Sequence, residues 1–245
     1  MKVYIQSTNK YLPHSYNFFN AYQGFNEMGF ETIMFHSFEE LKTSQKEDII
    51  VSYLDPVRRR LNDFGIIPPE IDYPDELKDF LGRKIWNLKL NQVANSPEMW
   101  PVFIKPVETK KFTGVVVRSP KDLIGCGTYG ENPDIICSEV VNFKAEWRCF
   151  VRYGKILDVR PYKGDWRLHY DASIIENVVK KFSSAPRGYA VDFGLTDDGR
   201  TLMIEVNDGY ALGCYGLLYF DYAKLLSARW AELTHTKDEC AFDIF

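Results

Sequence analysis

Leu202-Met203-Ile204-Glu205-Val206-Asn207-Asp208-Gly209 is the stretch on which the reading of this chain turns. An apolar run leads into a carboxylate and an amide two residues apart. In a strand, side chains alternate between faces, so Glu205 and Asn207 point the same way. A second predicted strand, Tyr189 to Phe193, carries Asp192. The turn Thr196-Asp197-Asp198-Gly199-Arg200 would join the two as a hairpin and bring Asp192 near Glu205. Three oxygen ligands then share one surface. Mg²⁺ favours a few such ligands, with substrate phosphates and water completing its octahedron. The stretch therefore points to nucleotide chemistry.

Outward from this hairpin, composition sets the bounds. The 245 residues suffice for a sizeable core and one or two domains, and 45% hydrophobic with 26% charged residues is ordinary for a globular chain. A net charge of -4 argues against a broad nucleic-acid footprint. The five cysteines, Cys126, Cys137, Cys149, Cys214 and Cys240, form no CxxC pair and no cluster with histidine. Zinc and a disulfide framework are not indicated, and reduced thiols in the cytoplasm are the simple expectation. Met1 to Gln6 starts like a strand rather than a signal peptide, and no apolar run reaches the length of a membrane span.

The first 74 residues predict a small α/β layer: strands over Lys2 to Gln6, Phe30 to Phe35 and Asp48 to Tyr53, with helices over Asn17 to Met28 and Pro56 to Phe64. No GxGxxG turn follows the first strand, so dinucleotide binding is not supported there. Three prolines in Ile67-Pro68-Pro69-Glu70-Ile71-Asp72-Tyr73-Pro74 mark a boundary between domains 1–74 and 75–245. Beyond it, Asp75 to Val93 reads as a helix, with Leu77, Phe80, Leu81, Ile85 and Leu88 on one face. Strands follow at Pro101 to Pro106, Gly114 to Val117, Ile135 to Val141, Glu146 to Val151 and Lys155 to Tyr162. Predicted helices cover Asn177 to Phe182 and Phe220 to Leu233. The fold class is mixed, α/β (α+β).

Four segments carry a resemblance: Phe103-Ile104-Lys105-Pro106, Lys111-Phe112-Thr113-Gly114, Glu146-Trp147-Arg148-Cys149-Phe150-Val151 and Glu205-Val206-Asn207-Asp208-Gly209. From about Asp75 onward the chain resembles the ATP-grasp superfamily of carboxylate-amine ligases, and most of all its R2K clade. The resemblance implies an ATP-grasp fold over 75–245, preceded by a pre-ATP-grasp domain over 1–74. It implies that ATP and Mg²⁺ are used, with Asp192, Glu205 and Asn207 as metal ligands. Lys105 is then the lysine that contacts phosphates, a role suited to a compact point charge. Arg83 or Lys84, on the preceding predicted helix, would supply another phosphate contact. Lys110 to Gly114 lies where the family has a loop over the phosphates. Glu139 would accept from the adenine amino group, or main-chain atoms of Val140 and Val141 would make that contact. Glu146 has the spacing of a ribose-binding carboxylate.

Arg148 and Arg160 are the cations expected to stabilise charge on a transferring phosphoryl group and to clamp a carboxylate. Lys163 and Arg167 are further substrate-binding candidates. Gly209 and Tyr210 open a glycine-rich loop that, by resemblance, borders the acceptor site. Cys214 in that loop reads as a small packing residue. The implied reaction joins a small-molecule or peptide carboxylate to an amine, by way of an acyl phosphate, with release of ADP and phosphate. The alternative is a non-catalytic ATP-binding module of the same fold. A covalent nucleotidyl-transfer ligase needs a KxDG lysine, which the sequence lacks.

Overall fold

A parallel sheet starts the chain in the computed structural model, which describes residues 1–9, 11–108, 111–127 and 130–242. Its strands are β1 (Lys2–Gln6), β2 (Glu31–Phe35) and β3 (Ile49–Val51), in the order β2-β1-β3. Val3 and Ile5 on one face of the central strand and Tyr4 on the other are all buried, as a parallel strand covered on both faces requires. Helices α1 (Tyr16–Glu27), α2 (Phe38–Leu41) and α3 (Leu54–Asp63) follow the three strands in turn. Ser15 starts α1 by accepting the Phe18 backbone N–H at 3.4 Å. The expected α/β layer is present; the short α2 was not foreseen.

The single helix expected over Asp75 to Val93 does not form. The segment divides into a 3₁₀ helix (Asp75–Phe80), β4 (Ile85–Lys89) and α4 (Leu90–Ala94). Gly82 between the first two has φ +58°, which ends any helix there. Arg83 and Lys84 therefore stand in the connection before β4, not on a helix. Beyond lie β5 (Val102–Pro106), β6 (Val115–Val117) and β7 (Asp134–Ser138), forming an antiparallel sheet in the order β4-β7-β5-β6. Val102, Ile104, Val117, Ile135 and Cys137 build its core with Val93. Leu81–Phe143 is a compact unit by itself.

The larger unit, Met1–Phe80 with Lys144–Phe245, takes in the parallel sheet and the rest of the chain. It contains β8 (Phe143–Arg152), β9 (Lys155–Gly164), α5 (Ala172–Lys181), β10 (Gly188–Thr196), β11 (Thr201–Asp208) and α6 (Tyr219–Thr234). The strands form a sheet in the order β11-β10-β8-β9. Its core joins Phe25 of α1 and Leu61 of α3 to Tyr222 and Trp230 of α6. α1 and α6 cross so closely that a Cβ on Gly24 would lie 2.2 Å from the Tyr219 carbonyl oxygen. Trp230 Nε1 donates to the Lys46 carbonyl at 2.9 Å, tying α6 to the turn before β3. All five cysteines are buried thiols. Among the described residues no helix is long and apolar enough to cross a membrane.

Candidate functional site

The β10–β11 hairpin forms with the expected partners. Thr196 N–H donates to the Arg200 carbonyl at 2.9 Å, and Gly199 turns the chain with φ +82°. Asp192 lies directly opposite Glu205, and a bulge follows between Asp192 and Phe193. Directly opposed residues of an antiparallel pair share a face. Asn207, two residues further along the same face, donates from Nδ2 to Asp192 Oδ2 at 3.1 Å. Asp192 is buried, whereas Glu205 and Asn207 are half-buried. The hairpin thus gathers two carboxylates and an amide.

Strand β8, next to β10, adds a cation. Arg148 donates from Nε and Nη2 to Asp192 Oδ1 and Oδ2, both at 2.7 Å. The two side chains are only 8% and 5% exposed. Burial works against the charged guanidinium, but the Asp192 carboxylate outweighs it and holds Arg148 above the usual arginine range. The guanidinium carbon lies 4.8 Å over the Tyr215 ring. Tyr215 in turn stacks on Tyr162, with centroids 4.8 Å apart and 20° between planes.

Tyr162 owes its position to a bulge. Glu146 pairs with Lys163 and Trp147 with Pro161, leaving Tyr162 as the extra residue of β9. Its hydroxyl bonds to Glu146, and burial, with the nearby carboxylates, pushes the phenol far up. Glu146 also takes Lys163 Nζ at 2.5 Å. Arg160 sits opposite Arg148 across the β8–β9 pair. Two like charges so placed would repel, yet each has its own acceptors. Those of Arg160 are Asp158 Oδ2 at 3.3 Å and the Tyr215 carbonyl at 3.4 Å.

The loop after β11 completes the cluster. Ala211 (φ +52°), Tyr215 (φ +42°) and Gly216 (φ +80°) are all left-handed, a conformation that costs a non-glycine residue on the order of 1–3 kcal/mol. The surroundings hold it. Asn17 Oδ1 accepts the Cys214 N–H at 3.0 Å, Asn20 Nδ2 donates to the Leu217 carbonyl at 3.0 Å, and the Tyr222 hydroxyl donates to the Leu212 carbonyl. Gly209 is required for close packing: a Cβ there would lie 2.1 Å from the Gly188 carbonyl oxygen. Cys214 is fully buried, and burial pushes its thiol up, as a packing residue requires.

The structure therefore gathers Arg148, Arg160, Glu146, Lys163, Asp192, Glu205 and Asn207 in one network. Two other candidates are engaged elsewhere. Arg167 is exposed and paired with Asp165 at 2.5 Å. Tyr210 belongs to the core, and its hydroxyl accepts Arg58 Nε at 3.0 Å. Tyr162 and Asn17 were missed by sequence reasoning. No local pattern marks the bulge that places Tyr162, and Asn17 meets its partner 197 residues later.

The smaller unit holds the remaining candidates. Lys105, on β5, pairs in register with Ile136 of β7. It alternates with Ile104, which is fully buried, so it lies on the face away from that unit's core. Glu139 Oε2 accepts the Lys84 N–H at 2.9 Å, and the Glu139 N–H donates to the Lys84 carbonyl at 3.1 Å. These two bonds extend the β4–β7 ladder past Ser138, where the predicted strand to Val141 stops; Val140 and Val141 lie beyond it. Arg83 Nη1 donates to the Leu81 carbonyl at 3.0 Å. Lys110 lies outside the described residues. Lys111 pairs with Glu108 at 2.9 Å, and a Cβ on Gly114 would lie 2.6 Å from the Phe103 ring.

The donor set on the hairpin suits a hard cation. Among the described residues no group of three or more His, Cys, Asp or Glu side chains is arranged for a metal. The set here is two carboxylates and an amide, the small number of oxygens that Mg²⁺ takes when phosphates and water supply the rest. The Asn207 Nδ2 bond to Asp192 turns the amide oxygen away from that carboxylate and leaves it for another partner.

Residues 80–225, more than half of the chain, match the family described as ATP-grasp domain, R2K clade family 2. No curated protein matches the sequence. Among solved structures, a D-alanine–D-alanine ligase from Bacillus anthracis is 15% identical with a TM-score of 0.56, covering 96% of this chain and 97% of its own. N5-carboxyaminoimidazole synthetase from Staphylococcus aureus is 10% identical with a TM-score of 0.60, over 93% and 77% of the two chains. The ATP-grasp ligase PsnB, solved with a minimal precursor, is 15% identical with a TM-score of 0.53, over 94% and 98%. Likeness at these identities is likeness of fold.

Proposed function

We propose that this chain, which belongs to family 2 of the R2K clade of ATP-grasp domains, is an ATP-dependent ligase that joins a carboxylate to an amine. The observation that carries the reading is the Asp192–Glu205–Asn207 set, with Arg148 and Arg160 on adjoining strands. PsnB has been solved with Mg and ADP, which supports assigning the same pair of cofactors here. Asp192, Glu205 and Asn207 would hold Mg²⁺. Bound there, it supplies neutralising charge to the phosphates.

The chain's own residues do the rest. Lys105, with Arg83 or Lys84, holds phosphate oxygens. Glu139, or the main chain of Val140 and Val141, meets the adenine, and Glu146 the ribose. A carboxylate oxygen of the substrate attacks the γ-phosphorus in line, the bond to the β-phosphate oxygen breaks, and ADP leaves. Arg148 and Arg160 stabilise the charge on the transferred group. An amine then attacks the acyl phosphate, loses a proton and displaces phosphate. No protein nucleophile is needed, in keeping with the buried, raised thiols. The reading includes a cytoplasmic setting, small-molecule or peptide substrates, and a module boundary near residue 74.

The alternative is a non-catalytic ATP-binding module. It is favoured by one observation: Asp192 is already engaged at both oxygens by Arg148. The test is Mg²⁺-dependent ADP release with pooled amino acids, peptides and small carboxylates, with Glu205→Ala/Asn207→Ala as the control. ADP release that the control abolishes, together with a condensed product by mass spectrometry, supports the ligase. AMP release overturns the acyl-phosphate route, and tight ATP binding without turnover favours the module.

A further inference from the structure

We propose that Arg148 occupies the cation position of the resting site, keeping Asp192 from divalent metal until a nucleotide offers the guanidinium another anion. The inference rests on the metal assignment above and deepens it.

Three observations carry it. First, the hydrogen-bonding capacity of Asp192 is nearly used up. Oδ1 takes Arg148 Nε, while Oδ2 takes both Arg148 Nη2 and Asn207 Nδ2. A carboxylate offers about four lone-pair sites, so a cation that ligates Asp192 must displace the guanidinium or share with it. Sharing is electrostatically poor, because the pair is buried and a second positive charge would meet the first at short range and low dielectric. Second, Arg148 has a mount separate from its anion. The Tyr215 ring lies under the guanidinium, stacked in turn on Tyr162. That cation–π contact does not depend on the Asp192 carboxylate, so the arginine can exchange acceptors without losing its platform. Third, the loop after β11 packs directly on Arg148. A Cβ on Gly213 would lie 3.7 Å from Arg148 Nη1, an ordinary contact, so this loop position borders the guanidinium. Tyr215 itself is 43% exposed and left-handed, a position the loop holds against local preference.

The exchange is balanced in charge. In the structure one guanidinium neutralises one carboxylate. With metal and triphosphate both present, Asp192 turns to the metal and Arg148 to a phosphate oxygen. Metal alone gives Arg148 no acceptor, and nucleotide alone gives Asp192 no replacement cation. The site therefore favours loading both together and resists either one singly.

The experiment is Mn²⁺ binding to the full chain by electron paramagnetic resonance, with and without a non-hydrolysable ATP analogue, for wild type and Arg148→Met. Without nucleotide, wild type should bind Mn²⁺ weakly and Arg148→Met roughly tenfold more tightly, since a positive neighbour has been removed. With the analogue, both should bind. Equal or weaker Mn²⁺ binding by Arg148→Met without nucleotide, while both proteins bind with the analogue, overturns the inference and leaves the ligase reading intact. Failure of wild type to bind Mn²⁺ even with the analogue overturns the metal assignment and the inference with it. Should Arg148→Met not fold, the Nε–H resonance of Arg148 in wild type decides. It should move only when Mg²⁺ and the analogue are both present. Its remaining fixed then, or moving with Mg²⁺ alone, rejects the exchange.

Discussion

Both four-stranded sheets carry charged residues, but only the larger unit takes some of them into its interior. In the smaller unit the pairs are open to water. Lys89 and Asp134 are 2.7 Å apart with side chains 49% and 66% exposed. The larger unit has exposed pairs too, such as Arg160–Asp158, but it adds buried ones: Arg148 and Arg229 fork onto Asp192 and Asp208, and Arg152 and Tyr153 share Asp238. Exposed pairs contribute roughly 0–1 kcal/mol and tolerate rearrangement. Buried pairs add little net stability but are costly to break, because the surviving charge has no water. The exposed Lys89–Asp134 pair is therefore free to rearrange, whereas the buried Arg148–Asp192 pair is held in place.

The strongest way to break this contrast is Asp192→Ala. It strands Arg148 in the interior, and we expect a loss of about 3–5 kcal/mol of unfolding free energy, read from urea denaturation. Mg²⁺-dependent turnover should fall by roughly a thousandfold or more with it. A variant as stable as wild type would mean that the pair is not buried in solution. Lys105→Ala should do the reverse. ATP affinity by calorimetry should drop about 10–100-fold, the worth of one charge-assisted hydrogen bond, while the melt stays within about 1 kcal/mol of wild type. Unchanged affinity would remove Lys105 from the phosphate site.

Smaller effects sharpen the picture. Burial pushes all five thiols up, Cys149 to about 12 and Cys137 and Cys240 to about 11. An acid raised on folding stays protonated in the native chain while the unfolded chain ionises. Stability is therefore fully present below the unfolded thiol value of about 8.5 and declines above it. Denaturation midpoints should fall between pH 8.5 and 11, and a thiol reagent at pH 8 should leave the native protein almost unlabelled. Rapid labelling of any cysteine would contradict its burial. Smallest of all, Lys89→Ala should shift stability by no more than about 0.5 kcal/mol; a cost comparable to that of Asp192→Ala would erase the contrast between the sheets.

Much of this was legible in the residues. The β10–β11 hairpin was, because strict alternation and a Gly-containing turn point to one arrangement, and Asp192 meets Glu205 as the alternation requires. The α/β layer was legible for the same reason. The segment Asp75 to Val93 was not. Leu77, Phe80, Leu81, Ile85 and Leu88 fit a helical stripe, but Ile85-Trp86-Asn87-Leu88-Lys89 also fits a strand whose partner, β7, lies some fifty residues on. Gly82 was the local signal that should have divided it. Within the site, alternation placed Glu205 beside Asn207, and spacing singled out Arg148. It could not show that Arg148 would settle on Asp192, since β8 and β10 are neighbours only in the finished sheet. Tyr162 faces inward because of one extra residue in β9, a detail of register that composition does not carry.

The two amides of α1 that hold the loop after β11 bear on when the protein can finish folding. Asn17 and Asn20 each find their partner 197 residues later, and Trp230 reaches back 184 residues to Lys46. A chain emerging from the ribosome makes α1 early, then waits for α6 before Phe25 and its neighbours are covered. Contacts of such long range are slow to form and leave apolar surface open meanwhile. Chains stalled before residue 219 should therefore be sticky and chaperone-bound. The loop after β11 would be among the last parts of the molecule to take shape, after every strand of its sheet has already been made.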